Sequence, residues 1–263
     1  MRRFRRYANQ REILYIRAAM ETVRYYIGHH IVSRNQDSYL RIQAIPGTAI
    51  ADPSYQLRIL LIAETLFLLR HSDGFAEFCR RLGYRDIRAA FYEAFSARLF
   101  LEAQYEIHAR PETYVKGEDY DFSATKNGER INVEVTTLAA KQFSPKTIPN
   151  SLGQKHKQVP NTAPAIVFVG LPPQWVIESR DWESYLTKVT RDFFRQTKKI
   201  NAVVFMGENF FIGGVAIIKK PYPNHEARNK MENMDFLFSD REESRNSEFF
   251  RWIDYIVPPE GDR

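Results

Sequence analysis

The dipeptide Asn127-Gly128 lies between two segments in which polar and apolar residues alternate, and it limits the fold of this 263-residue chain more than any other feature. Both central residues of a two-residue type I′ turn need a positive φ, which Asn and Gly tolerate well. The dipeptide therefore predicts a β-hairpin with strands over 119–126 and 130–137. A two-residue turn also fixes the register, so Lys126 faces Glu129 and the earlier pairs follow by counting outward.

In this register the hairpin has one polar and one apolar face. Asp121 faces Glu134, and Asp119 faces Thr136. The polar face carries Asp119, Asp121, Ser123, Thr125, Arg130, Asn132, Glu134 and Thr136, and the apolar face carries Tyr120, Phe122, Ala124, Ile131, Val133 and Val135. This separation supports the register, because a slip of one residue would exchange the two faces.

The pair Asp121 and Glu134 indicates chemistry. Residues directly opposite each other across two strands have Cβ atoms about 4.5–5.5 Å apart, and like charges so placed destabilise the sheet. A divalent cation, a shared proton, or a neighbouring Lys or Arg would offset the repulsion. The oxygen ligands suit a hard cation such as Mg²⁺. The competing interpretation is an ordinary solvated hairpin face with Arg130 or a lysine nearby.

The remaining patterns predict helices around the hairpin and strands beside it. Helical spacing covers 10–32 and 55–71, and a short helix runs from Ser72 or Asp73 to Leu82, where Gly83 ends it. Further elements are a helix capped by Asp86 and ending near Gln104, helices over 150–159 and 181–198, and strands over 105–109, 165–171, 201–206 and 211–219. The fold class is therefore α/β (α+β), a mixed sheet flanked by helices, with a helical N-terminal region.

The hairpin and its surroundings resemble the PD-(D/E)xK nuclease superfamily, which includes restriction endonucleases and archaeal Holliday-junction resolvases. The resemblance lies in Asp121, the Lys126-Asn127-Gly128 turn and the run Val133-Glu134-Val135-Thr136, with a helix before the hairpin and a helix and an apolar strand after it. It covers roughly residues 86–171 and extends at most to 220. It implies a restriction-endonuclease-like core of one helix, three strands, a helix and a fourth strand, which is the order predicted above.

Carried over residue by residue, the resemblance makes Asp121 the motif aspartate and Glu134 the acid of the acid-x-Lys pair. Asp119 would be an alternative or auxiliary aspartate, and Glu93 would be the helical glutamate that many members add, with Glu102 as its rival. These carboxylates and the Val135 carbonyl would hold one or two Mg²⁺ or Mn²⁺ ions.

One position departs from the family pattern. The motif lysine, which orients the attacking water and offsets charge on the phosphate, is expected at 136, where this chain has Thr136. Lys126 is a poor substitute, because its parity places it on the apolar face. Lys141, Lys155 and Lys157 are better placed, just after the third strand or on the next helix. Gln154 on that helix, with Lys141 and Lys155, could contact phosphate or a base edge.

The excess of positive charge is confined to the N-terminus. Residues 1–34 contain eight arginines and two glutamates, so their net charge is +6. The whole chain has the same net charge, so the remaining residues sum to zero. The arginines include Arg2, Arg3, Arg5 and Arg6, and they are expected to provide any general grip on a phosphate backbone. The single cysteine favours a reducing compartment, so we expect a cytoplasmic protein. The apolar stretch Leu57 to Leu69 is too short and too charged to span a bilayer, and no membrane partner is expected.

These patterns divide the chain into a helical region over 1–85, a PD-(D/E)xK-like domain over 86–220 and a polar, acidic extension over 221–263. The leading hypothesis is a Mg²⁺-dependent endonuclease acting on nucleic acid, with DNA favoured and a homodimer left open. The alternative is a catalytically inactive nuclease-fold protein that binds nucleic acid or assembles with other proteins. A third hypothesis makes the hairpin face structural and the N-terminal helices a partner-binding module.

Overall fold

A computed structural model describes residues 10–28, 54–111, 120–139, 142–173, 175, 181–211, 214–239 and 248–256 of the chain. The helices are α1 (Gln10–Ile27), α2 (Ser54–Leu69), α3 (Phe75–Tyr84), α4 (Ile87–Glu102), α5 (Thr147–Lys155), α6 (Trp182–Gln196), α7 (Asp235–Phe238) and α8 (Glu248–Ile256). The strands are β1 (Glu106–Ala109), β2 (Phe122–Lys126), β3 (Glu129–Thr137), β4 (Ala165–Gly170), β5 (Ala202–Phe211) and β6 (Gly214–Pro223).

The strands form one mixed sheet in the order β1-β2-β3-β4-β5-β6. Strands β1, β2 and β3 are antiparallel neighbours, β3, β4 and β5 run parallel, and β6 returns antiparallel to β5. Helices α5 and α6 connect the parallel strands, as crossovers between parallel strands require. The predicted mixed sheet with flanking helices and a helical N-terminal region is confirmed.

Helices cover both faces of the sheet. The apolar face of the hairpin, with Phe122 and Val133, belongs to a buried cluster that includes Phe91 and Phe100 of α4. This cluster also takes in buried residues of α1, α2, α3 and α8. The opposite face, including Val167 of β4, packs in a second cluster with α5 and α6. The polar residues of the hairpin therefore lie on the side of the sheet that α5 and α6 cover.

The predicted hairpin register is confirmed. Lys126 pairs with Glu129 and Phe122 pairs with Val133. Asn127 and Gly128 have φ values of 52° and 83°, the positive φ that the turn needs. The predicted cap of α4 is also confirmed, since the Asp86 carboxylate accepts a hydrogen bond of 2.8 Å from the Ala89 N–H.

Several elements differ in position or extent from the sequence prediction. Strands β5 and β6, predicted over 201–206 and 211–219, lie at Ala202–Phe211 and Gly214–Pro223, and β2 begins at Phe122. Helix α3 continues through Gly83 to Tyr84, with Gly83 lying against Ile27 of α1, so packing between helices overrides the glycine as a stop signal. The helix predicted over 150–159 lies at Thr147–Lys155. The acidic C-terminal region, in which few elements were expected, contributes α7 and α8. No helix in the described ranges is both long and apolar enough to cross a membrane.

Candidate active site

The centre of the polar face of the hairpin is buried, although Arg130 near the turn is exposed. Ser123, Asn132 and Glu134 are each no more than 2% exposed. Helix α5 lies over this face, and the hydroxyls of Thr136 and Ser151 are 3.3 Å apart between β3 and α5. The interpretation of this face as a solvated surface is therefore wrong, because the crossover helix that joins two parallel strands covers it.

Asp121 precedes β2 and is fixed against β3 by two hydrogen bonds. Its backbone N–H donates to the Val133 carbonyl at 3.1 Å. Its Oδ2 accepts from the Val135 N–H at 2.7 Å. The regular strand pairing ends one residue later, at Phe122 and Val133. The aspartate thus lies at the end of the ladder beside Glu134, with one carboxylate oxygen occupied by the backbone of β3.

Lys155, at the end of α5, places an ammonium group beside Glu134. Its Nζ lies 2.5 Å from Oε1 of Glu134. Ser151 is one helical turn earlier on α5 and contacts Thr136, so the helix runs back along β3 and delivers the ammonium group to the glutamate. Lys157 is exposed beyond the end of α5. Lys126 points away from the carboxylates, as its parity predicted, and donates to the Ala103 carbonyl at the end of α4 at 2.7 Å.

The sequence interpretation missed Arg81, the most enclosed cation of this site. Its side chain on α3 is 1% exposed. One guanidinium nitrogen lies 2.9 Å from Oε2 of Glu93 and 3.3 Å from Oδ1 of Asp121. The available signal was its spacing, since Arg81 follows Phe78 by three residues and both face the core. An arginine at an apolar helix position requires a buried partner.

Helix α4 places one of its two candidate glutamates at the site. Glu93 is 6% exposed and lies between Arg81 and Arg85, whose nearest nitrogen is 3.6 Å from Oε1. Glu102 is at the other end of α4, where it pairs with Arg98 at 2.9 Å. The structure therefore brings Glu93 to the hairpin and excludes Glu102.

Three carboxylates and three cations meet at this site, and the carboxylates are the more deeply buried. Glu93, Asp121 and Glu134 lie together with Arg81, while Lys155 and Arg85 are each about a quarter exposed. Burial raises the pKa of Glu93 to about 7, and the charge of Asp121 adds to that effect. Burial also raises the pKa of Asp121, and burial together with Asp121 raises the pKa of Glu134 well above its usual range. The ionised form of this cluster is therefore costly without further positive charge.

Glu134 has one oxygen that suits a cation. Its Oε2 is buried and has no hydrogen-bond partner. A buried carboxylate oxygen without a partner costs folding free energy, and a hard cation is a natural ligand for it. In the described part of the chain, no three Asp, Glu, His or Cys side chains form a preformed metal cluster. The donors fit an ion bound beside Glu134 and Asp121, and they do not form a ready-made cage of three carboxylates.

The other candidate residues are placed as follows. Gln154 is exposed on α5, next to Lys155. Asp119, Lys141 and the arginines Arg2, Arg3, Arg5 and Arg6 lie outside the described residues.

Comparisons with known proteins add little to this geometry. No family model and no curated protein matches the chain. Among solved structures, the chain is similar to the structure of Pyrococcus furiosus SfsA in complex with Ca²⁺, with a TM-score of 0.30 and 10% sequence identity. The match covers 51% of this chain and 62% of that chain, which is less than two thirds of its length. The account of the fold and the site depends on the contacts described above and not on this likeness.

Proposed function

We propose that this protein is a metal-dependent nuclease that hydrolyses phosphodiester bonds in nucleic acid, with DNA as the favoured substrate. The observation that carries the proposal is the 2.5 Å contact between Lys155 and Glu134, beside Asp121. The contact supplies an ammonium group next to the motif glutamate, although Thr136 stands at the motif lysine position. Two carboxylates and a lysine around one point are the components that such hydrolysis requires.

Each residue has a role that follows from its contacts. Oε2 of Glu134, beside Asp121, would hold Mg²⁺ or Mn²⁺, which when bound polarises the phosphate and lowers the pKa of a water molecule. Oε1 of Glu134 positions Lys155, whose charge then stabilises the negative charge that develops on the phosphate. Thr136 contacts Ser151 and sets the distance between β3 and α5. Lys155 therefore takes the role of the motif lysine from the helix.

The surroundings of Lys155 favour a polyanionic substrate. Lys155 is 24% exposed at its side chain, so a phosphate can approach it from solvent. Gln154 is exposed next to it on α5 and can bind a neighbouring phosphate. The N-terminal arginines would add a grip on the backbone that weakens with salt.

A cleavage assay tests this proposal. The chain is incubated with plasmid, single-stranded DNA, branched DNA and RNA in Mg²⁺, in Mn²⁺ and in EDTA, beside Glu134→Ala and the matched control Glu106→Ala. Glu106 is an exposed glutamate on β1. We expect metal-dependent cleavage by the parent and by Glu106→Ala, and none by Glu134→Ala. Equal cleavage by Glu134→Ala and the parent would sink the proposal.

A second candidate is a nuclease-fold protein that binds nucleic acid without cleaving it. The contacts of Arg81 with Glu93 and Asp121 favour it, because they already offset part of the charge that a metal ion would offset. Titration calorimetry distinguishes the two candidates. A binding module would take up nucleic acid while releasing no heat with Mg²⁺ or Mn²⁺, whereas the proposed nuclease binds the metal.

A further inference from the structure

The guanidinium of Arg81 is surrounded by oxygen atoms, as a bound metal ion is. Its guanidinium reaches Glu77 at 2.9 Å, Glu93 at 2.9 Å and Asp121 at 3.3 Å. It also donates to the backbone carbonyls of Asp121 and Arg110. Carboxylate and carbonyl oxygens are the ligands that Mg²⁺ and Ca²⁺ select in proteins. The guanidinium stays protonated at any accessible pH, so this positive charge is permanent.

The contacts of Arg81 leave few carboxylate oxygens for a metal. Oδ1 of Asp121 and Oε2 of Glu93 each contact Arg81. Oδ2 of Asp121 accepts from the Val135 N–H, and Oε1 of Glu93 faces Arg85. Among the described oxygens of these three carboxylates, only Oε2 of Glu134 is buried and has no hydrogen-bond partner.

An incoming metal ion could not easily displace Arg81 from these carboxylates. Its side chain is 1% exposed, and Glu77 holds it from one turn earlier on α3. An incoming cation that displaced it would leave a buried guanidinium without two of its partners, which is strongly unfavourable.

We infer that Arg81 takes the place of one metal ion, so that the site binds a single divalent cation at the Glu134 side. This inference rests on the proposed function, because it concerns the ion which that function requires. Arg81 is then a positioning residue: it neutralises Glu93 and Asp121 and holds them at the end of the hairpin. Glu93 is paired with Arg81 and is not a direct ligand of the metal.

The stoichiometry of Mn²⁺ binding to the full chain tests the inference, by calorimetry and by electron paramagnetic resonance of free Mn²⁺. We expect one ion per chain in the parent and in Arg81→Lys, and two in Arg81→Met, in which Glu93 and Asp121 lose their cation. A second variant, Glu93→Gln, keeps Arg81 and therefore tests the inference even if Arg81→Met does not fold. It should keep one ion with an affinity reduced by no more than roughly 10–100-fold, the effect typical of residues around a ligand shell. Glu134→Gln should bind none, and circular dichroism checks that each variant is folded.

The outcomes separate this inference from the proposed function. Two ions in the parent would overturn the inference and leave metal-dependent hydrolysis intact. No ion in the parent would overturn both. One ion in the parent but none in Glu93→Gln would make Glu93 a ligand and overturn the inference alone.

Discussion

Helix α4 takes part in two buried arginine–carboxylate clusters that differ in how completely they are satisfied. Near its end, Arg98 lies between Glu64 of α2 and Glu102, at 2.9 Å from each. Near its beginning, Glu93 meets Arg81 of α3 at the same distance. We call these the Arg98 cluster and the Arg81 cluster, the latter including Asp121, Glu134 and Lys155.

The difference lies in the polar atoms left over. No described side-chain oxygen or nitrogen of Glu64, Arg98 or Glu102 is both buried and without a partner, whereas Oε2 of Glu134 is. Buried polar networks that only stabilise a fold are normally satisfied, because each unpaired group costs free energy. An unsatisfied carboxylate beside raised carboxyl pKa values is typical of sites that bind a ligand. The Arg98 cluster therefore serves the fold, and we expect the Arg81 cluster to serve function.

The largest expected effect comes from removing the carboxylates of the Arg81 cluster. The double substitution Asp121→Ala and Glu134→Ala should reduce cleavage to the level seen in EDTA, roughly 10³-fold or more. The protein should remain folded, because Arg81 keeps its pairs with Glu77 and Glu93, and Lys155 is partly exposed and can reach solvent. Rates on plasmid DNA and circular dichroism spectra measure both properties. Cleavage at the parental rate, or an unfolded variant, would contradict the assignment of the two clusters.

The opposite result is expected from the Arg98 cluster. Glu64→Gln leaves the buried Arg98 with Glu102 as its remaining carboxylate, and losing one partner of a buried ion pair typically costs about 3–5 kcal/mol of unfolding free energy. Urea denaturation at neutral pH measures this loss. Metal stoichiometry and the cleavage rate of the folded protein should not change. If Glu64→Gln lowered cleavage without lowering stability, the division between a structural and a functional cluster would be wrong.

A smaller effect is expected from the lysine that closes the Arg81 cluster. Lys155→Ala should lower the rate of cleavage by roughly 10²–10³-fold, the usual effect of losing one electrostatic contact to the transition state. Lys157→Ala is the matched control, since Lys157 is an exposed lysine two residues later. If Lys157→Ala lost most of its activity and Lys155→Ala did not, Lys157 would act as the motif lysine, and the role proposed for Lys155 would be wrong.

The parts of the site that follow local rules could be predicted from sequence. A two-residue turn fixes the strand register by counting, so Asp121 and Glu134 could be brought together without knowledge of the rest of the fold. The same parity placed Lys126 away from them. Glu93 could be named but not separated from Glu102, because both lie on one helix and only the packing of α4 decides which end meets the hairpin.

The parts that depend on packing could not be predicted in the same way. Arg81 is 40 residues from Asp121, and their contact depends on how α3 lies against the end of the sheet. Lys155 remained one of three candidates because the packing of α5 against β3 could not be predicted from sequence. The helix ends at Lys155, which contacts Glu134, and Lys157 lies beyond it in solvent.

The smallest expected effect is a dependence of stability on pH, and it separates two partners of the same arginine. Burial raises the pKa of Glu93 to about 7 from its ordinary 4.5. Hydrogen bonds from Arg80 lower the pKa of Glu77 to about 2. Between these ordinary and shifted values the folded and unfolded chains bind different numbers of protons, so stability changes with pH in opposite directions for the two residues.

The sign for Glu93 follows from proton binding. Between about pH 4.5 and pH 7 the folded chain keeps a proton that the unfolded chain releases, so stability falls as the pH rises and levels off above pH 7. One proton gives a slope of at most about 1.4 kcal/mol per pH unit. Glu77 does the reverse, since its contribution is complete above pH 4.5 and is lost as the pH falls toward 2.

Urea denaturation in EDTA at pH 5, 6, 7 and 8 measures these slopes. Glu93→Gln should reduce the fall in stability between pH 5 and pH 7, because glutamine cannot take up the proton, and the raised pKa values of Asp121 and Glu134 account for the part that stays. Glu77→Gln should leave that fall unchanged, since Glu77 is already ionised in both the folded and the unfolded chain at these pH values. Identical slopes for the parent and Glu93→Gln would show that Arg81 and Arg85 neutralise Glu93 fully. The Arg81 cluster would then be satisfied at Glu93 in the way that the Arg98 cluster is, and the contrast between them would rest on Glu134 alone.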